Sequence, residues 1–297
     1  KLTDDVGFRF SARWWSEWPL TAEKYASWLA STSGECICIF PDYETFGEHH
    51  WKETGILEFL RWLPEEVLKR NLSFALPSEL VEKYTPVGEI DVNDFSTLSW
   101  ADIERDTSAW IGNNMQRTCF YALEKMEKIV KKAKSKKAEK IWRYLQISDN
   151  LYYMYTQEGA PGIVHGYFSQ QLPQEVFHAF TRILSDFQEK VSKFLEEPYK
   201  SAAYFLRILP PEKAFHYYEG QRYLNLSAHS SEELCRTIPL ASEESIKFHL
   251  NSKDIERWVR FTIGDKELAD KIKKVENKEN LLKVVRERCK ALWKLLE

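Results

Sequence analysis

ECICIFPDYETFGEHHW, residues 35–51, decides how the first part of this chain is read. Its opening, ECICIFP (35–41), is short, apolar and rich in β-branched residues, and it stops at Pro41-Asp42. Such a run predicts a fully buried strand of the kind found in parallel sheets. Cys36 and Cys38 would then share one strand face, as core residues do. TGILEFLRWLPEEVLKR (54–70) places Ile56, Leu57, Leu60, Leu63 and Val67 at helical spacing, with Pro64 as a kink or boundary. LSFALP (72–77) predicts a second strand, and SELVEKY (78–84) a helix capped by Ser78. Strand, helix, strand, helix in that order predicts an α/β unit with a parallel sheet.

From about Thr107 the pattern turns helical. TSAWIGNNMQRTCFYALEKMEKIVKKA (107–133) predicts one long amphipathic helix, and QEVFHAFTRILSDFQEKVSKFLE (174–196) another. The KKAKSKK run (131–137) reads as a solvated helix end, where cations oppose the negative end of the helix dipole. Residues 1–199 carry a net charge of −7 and residues 200–297 a net +4, which suggests a separate small domain in the tail. That tail opens with a strand region, FHYYEGQRYLNLSA (215–228). Short helices with Ser or Asp near their starts follow it.

The 297 residues carry 42 Lys+Arg against 45 Asp+Glu, a balance that argues against a nucleic-acid partner. No run approaches the roughly 18 apolar residues of a membrane helix, so no membrane partner is expected. Five cysteines without a CxxC pair argue against a disulfide framework or a zinc site and point to the cytoplasm.

The densest polar cluster is DYETFGEHHW (42–51), placed where parallel α/β folds gather ligand-binding side chains. Asp42 stands at the expected strand end beside Tyr43, Glu44, His49, His50 and Trp51. A carboxyl group walled by aromatics can be desolvated into a general acid working near neutral pH. Asp42 with His49 or His50 would also supply metal-ligand types. Adjacent histidines are nevertheless a poor chelating pair, so neither a metal nor another cofactor is expected. Trp100 and Trp110 in SWADIERDTSAWIGNNMQ (99–116), and Asp149 with Tyr152 in LQISDNLYYM (145–154), again set rings beside acids. Flat rings and carboxylates suit sugar recognition, by stacking and by accepting hydroxyl hydrogen bonds.

Residues 1–195 resemble the α-amylase-like branch of glycoside hydrolase family 57. The resemblance rests on DDVGFRFSARWWSEWPLTAEKYASWLA (4–30), IFPDYETFGEHHWKETGILEFLRWLP (39–64), SWADIERDTSAWIGNNMQ and LQISDNLYYM. It implies a retaining hydrolase of α-1,4-glucans, with α-glucan oligo- or polysaccharide as partner, and Asp42 as the general acid. Asp149 and Tyr152 match a later substrate-binding motif, in which Asn150 stands where close relatives carry His. The implied fold is α/β. It is the C-terminal part of an incomplete (β/α)7 barrel, followed by a helical region and a small, mostly helical domain. The divisions would be a partial barrel over 1–106, the helical region over 107–199 and an appended domain over 200–297. The tail resembles an uncharacterised domain of archaeal proteins.

The family's nucleophile, a Glu on an earlier barrel strand, has no counterpart here. Retaining hydrolysis needs two carboxyl groups about 5–5.5 Å apart, flanking the bond. Glu44, two residues from Asp42, cannot serve from the same loop. The expectation is therefore a chain that begins in mid-protein, lacks the N-terminal barrel half and is inactive alone. The alternatives are a non-catalytic glycan-binding or regulatory protein, and a metal-dependent, deacetylase-like hydrolase.

Overall fold

A computed structural model describes residues 5–39, 41–91, 106–156 and 171–297. The chain divides into two compact units, Lys1–Asp91 and Val92–Glu297.

In the first unit, helices α1 (Asp5–Ser11), α2 (Ala22–Ala30), α3 (Ile56–Leu68) and α4 (Pro77–Lys83) form along the chain. Thr21 caps α2 by accepting a hydrogen bond from the Lys24 amide. Phe10, Leu20, Tyr25, Ala26, Ile56 and Phe59 bury the facing sides of α1, α2 and α3 in one core. The expected helix over 54–70 is α3, which continues through Pro64. Helix α4 starts after Leu76 rather than at Ser78, because the Glu79 carboxylate accepts from the Leu76 amide.

Neither expected strand is present among the described residues of this unit. Glu35–Ile39 and Leu72–Leu76 lie outside helices and strands, and Phe40 lies outside the described residues. Ile37 and Ile39 lean on the core while Cys36 and Cys38 face solvent. The two-residue alternation is therefore real, but it points the cysteines outward. A strand needs a neighbour to receive its amides and carbonyls. No strand of this unit supplies one among the described residues, so barrel strands are not seen in the described part of the chain.

The second unit is mostly helical, with α5 (Ser108–Ile111), α6 (Asn114–Ala133), α7 (Lys136–Leu145), α8 (Asp149–Tyr152), α9 (Pro173–Ser192) and α10 (Tyr199–Phe205). Strands β1 (Phe215–Glu219) and β2 (Arg222–Ala228) pair antiparallel around Gly220, whose φ of 59° suits glycine. After them come α11 (Ser231–Thr237), α12 (Glu243–Asn251), α13 (Asp254–Trp258), α14 (Lys266–Ile272) and α15 (Lys278–Leu296). Ser230, Ser242 and Asp265 cap three of these helices, in line with the Ser and Asp near their starts, and Asn277 caps α15.

The long helix expected from Thr107 is two helices, split at Gly112-Asn113. There the Asn113 and Gln116 side chains bond each other's backbone amides. The basic run 131–137 is likewise divided. Lys131 and Lys132 end α6, whereas Lys136 and Lys137 open α7 behind the Ser135 cap. Packing runs across residue 200: Leu184, Phe187 and Val191 of α9 share one cluster with Tyr217, Leu234, Val285 and Leu292. Among the described residues no helix is long and apolar enough to cross a membrane.

One buried ion pair ties this unit's last helices. Asp265, 1% exposed, accepts from the Leu268 amide at 3.0 Å and from Arg288 Nε at 2.7 Å. Removing one partner of a buried pair strands the other charge, which costs about 3–5 kcal/mol. Asp265→Ala is expected to lower unfolding free energy by that amount in urea titration. A loss below about 1 kcal/mol would contradict the pair's role.

Candidate functional site

The motif segment after Pro41 folds into a compact knot of turns. Asp42 is extended (φ −61°, ψ 130°) and its carbonyl accepts from the Thr45 amide at 3.1 Å, closing one 3-10 turn over Tyr43–Thr45. The Glu44 carbonyl accepts from both Glu48 and His49 amides, and Gly47 donates to the His50 carbonyl at 3.0 Å. Gly47 holds φ at +116°, a conformation side-chain-bearing residues rarely adopt.

Three side chains anchor the knot. Thr45 is buried, Phe46 packs on the core, and His50 is only 9% exposed. His50 Nε2 lies 3.1 Å from the Gly7 carbonyl and 3.3 Å from Ser11 Oγ, with its ring 5.8 Å from Phe10. A carbonyl can only accept, so Nε2 carries the proton. His50 therefore ties the loop to α1 and does not line a substrate surface, contrary to its sequence reading. Asp42, Tyr43, Glu44, Glu48, His49 and Trp51 all face solvent, Tyr43 at 90% and Trp51 at 68% exposure. The Asp42 carboxylate thus stands in water and not within the expected aromatic wall. His49 and His50 are separated by burial, and no three metal-ligating side chains converge among the described residues.

The tryptophans divide the same way. Trp15 and Trp28 pack on the core, Trp18 Nε1 donates to the Phe10 carbonyl at 3.0 Å, and the Arg9 guanidinium stacks 4.7 Å over Trp15. Trp14, Trp51 and Trp62 are exposed.

In the second unit, Trp110 on α5 meets Tyr152 on α8 with ring centroids 5.5 Å apart, and Tyr155 stands 6.1 Å beyond. Tyr152 is buried with Ala109, so this pair builds core and only Trp110 keeps partial exposure. Buried Gln116 holds the arrangement, donating to the Ala109 carbonyl at 2.6 Å and the Leu151 carbonyl at 3.1 Å. Asn113 Nδ2 adds a bond to the Met154 carbonyl at 2.7 Å. The signal for both was present as N-x-x-Q, a capping-box spacing. Asp149 is exposed in the first turn of α8. Asn150 donates to the Leu145 carbonyl at 3.2 Å, closing the end of α7. Trp100 lies outside the described residues, as do the acids Asp102 and Glu104 beside it.

Comparison with known proteins gives one family and one relative. The sequence model of glycosyl hydrolase family 57 matches residues 1–93. A "Putative alpha-amylase" of Methanocaldococcus jannaschii is 49% identical over 205 residues, covering 66% of this chain and 44% of that protein. The match thus spans less than half of the relative's length. No solved structure matches the chain.

The sorting of the loop predicts a split between stability and binding. Tyr43→Ala and Trp51→Ala should unfold within about 0.5 kcal/mol of wild type, as exposed substitutions do. His50→Ala should lose about 1–3 kcal/mol, because it removes the bond to the Gly7 carbonyl and a buried ring packed on Phe10. Equal losses in all three by urea titration would overturn the assignment of His50 as the anchor.

Proposed function

We propose that the chain, whose residues 1–93 match the glycosyl hydrolase family 57 model, carries the general-acid portion of a retaining α-1,4-glucan hydrolase. The observation that carries the reading is the one-sided display of the motif loop. The carboxylate of Asp42, the rings of Tyr43 and Trp51 and the polar ends of Glu44 and His49 are all exposed on the knot that His50 anchors. Asp42 protonates the leaving glycosidic oxygen. It then takes a proton from the water that releases the glycosyl-enzyme. Tyr43 and Trp51 stack on apolar sugar faces while Glu44 and His49 bond hydroxyls. Bound glucan and the rest of the site supply the dry surroundings that the isolated loop lacks. Within the second unit, Asp149 and the partly exposed Trp110 offer an acid and a ring of their own for glucan, and Tyr152 supports Trp110 from the core.

Glu44 shares Asp42's loop and cannot flank the bond from the opposite side, so this reading takes the nucleophile from another segment. Exposed apolar side chains of the first unit, among them Phe74, Leu76, Val81 and Ile90, support a barrel segment that covers them. The solvent-exposed setting of Asp42 also favours a second reading, glycan binding without catalysis.

Two measurements separate these readings. In the protein complete with its nucleophile segment, Asp42→Asn should lower kcat/KM on maltodextrin by about 10²–10⁴-fold, the usual worth of a general acid. Its circular dichroism and maltoheptaose affinity should stay unchanged. Near-wild-type turnover in that variant removes Asp42 from the mechanism. The 297-residue chain should bind maltoheptaose in calorimetry without releasing reducing sugar; turnover by the chain alone would place a nucleophile within it.

A further inference from the structure

The tail of the second unit holds two thiols on neighbouring helices. Cys235 lies in α11 and Cys289 in α15, and these helices pack against each other through Leu234, Val285 and Leu292. Both thiols line one cleft of about 620 Å³, together with Lys125, Arg236, Arg286, Lys290 and Glu232. Cys235 is partly exposed to the cleft and Cys289 is buried behind it. The two thiols influence each other's ionisation directly, and the Cys235 thiol donates to the Ser231 carbonyl at 3.7 Å.

The charges around the pair favour a thiolate on the outer sulfur. Glu232 beside the pair is ion-paired with Lys125, and the guanidinium of Arg286 faces the same cleft. The neighbouring Cys289 thiol, aided by Arg286 and Lys125, holds the Cys235 thiol below its ordinary value against the opposing effects of burial and Glu232. The same contact and burial push the Cys289 thiol up. One sulfur is thus disposed to attack and the other to keep its proton until needed. Reactive cysteines occupy this kind of positively charged, partly open setting, whereas structural ones are sealed. Cys119, also in this unit, is fully buried and serves as the internal contrast.

We propose that Cys235 and Cys289 are a peroxide-reactive thiol pair whose reversible disulfide staples α11 to α15. The Cys235 sulfur attacks one peroxide oxygen, forming an S–O bond as the O–O bond breaks. The departing hydroxide takes a proton and leaves as water. The Cys289 sulfur then attacks the Cys235 sulfenic sulfur, giving up its proton. The S–O bond breaks, a second water leaves and the S–S bond forms. Hydrogen peroxide is the oxidant, reduced to two waters as two thiols become one disulfide. A dithiol reductant reverses the change.

The test treats the 297-residue chain with hydrogen peroxide and maps tryptic peptides by mass spectrometry. The expected product is a peptide containing Cys235 joined to one containing Cys289, lighter by two hydrogens and resolved by dithiothreitol. Thermal unfolding of the oxidised chain should move upward, since the bridge restricts the unfolded state. Cys289→Ser should leave a sulfenic acid on Cys235 that dimedone traps, and Cys235→Ser should abolish both products. Cys289→Ala repeats the trapping should the serine variant misfold. Oxidation confined to the exposed Cys36 and Cys38, or over-oxidation of Cys235 without a bridge, would overturn the proposal.

Discussion

The hydrogen bond from the His50 ring to the Gly7 carbonyl fixes everything the motif loop can offer. It seats an imidazole on Phe10, spans 43 positions of sequence and joins the loop to α1. With Thr45 buried and Phe46 on the core, the remaining polar and aromatic side chains have only the solvent side left to them. The knot between Asp42 and Trp51 closes through its own backbone bonds, so its shape does not depend on a strand before it. That matters because the first unit shows no strand among its described residues. The display of Asp42 rests on helix packing and turns instead.

The second unit depends on buried polar groups used as fasteners. Gln116 satisfies carbonyls of α5 and α8 at once, and Asp265 combines a helix cap with an ion pair to α15. Such groups are costly unless fully satisfied, so each tolerates only one arrangement of its neighbours. The thiol pair sits in the same packing layer, between α11 and α15. A covalent link there would join helices that already share the core.

Much of the local structure was legible. Period-3.6 spacing located α3, α6 and α9, and the strand region 215–228 became the β1–β2 hairpin. The Ser and Asp expected near the starts of the tail helices include the caps Ser230, Ser242 and Asp265. The misreadings share a cause. ECICIFP and LSFALP have strand composition, yet composition cannot supply the neighbouring strand whose amides would complete the ladder. The break at Gly112-Asn113 was hidden because apolar spacing continues across it. Only the reciprocal bonds of Asn113 and Gln116 mark two helices.

By itself, then, the sequence marked the long helices α3, α6 and α9, the strand region 215–228 and the motifs that match the glycosyl hydrolase family 57 model over residues 1–93. These follow from nearest-neighbour chemistry and from an ordered motif that survives intact. Which motif residues meet solvent was decided by tertiary structure alone. His49 and His50 are adjacent and chemically identical, yet one is exposed and the other is locked beneath the loop. Nothing within a few residues of either distinguishes them; the Gly7 carbonyl and the Phe10 ring do. Tyr152 was drawn into the core by Trp110 in the same way, while Asp149 on the same short helix remained outside. Burial is a competition among distant parts of the chain for one interior, and local spacing does not record its outcome.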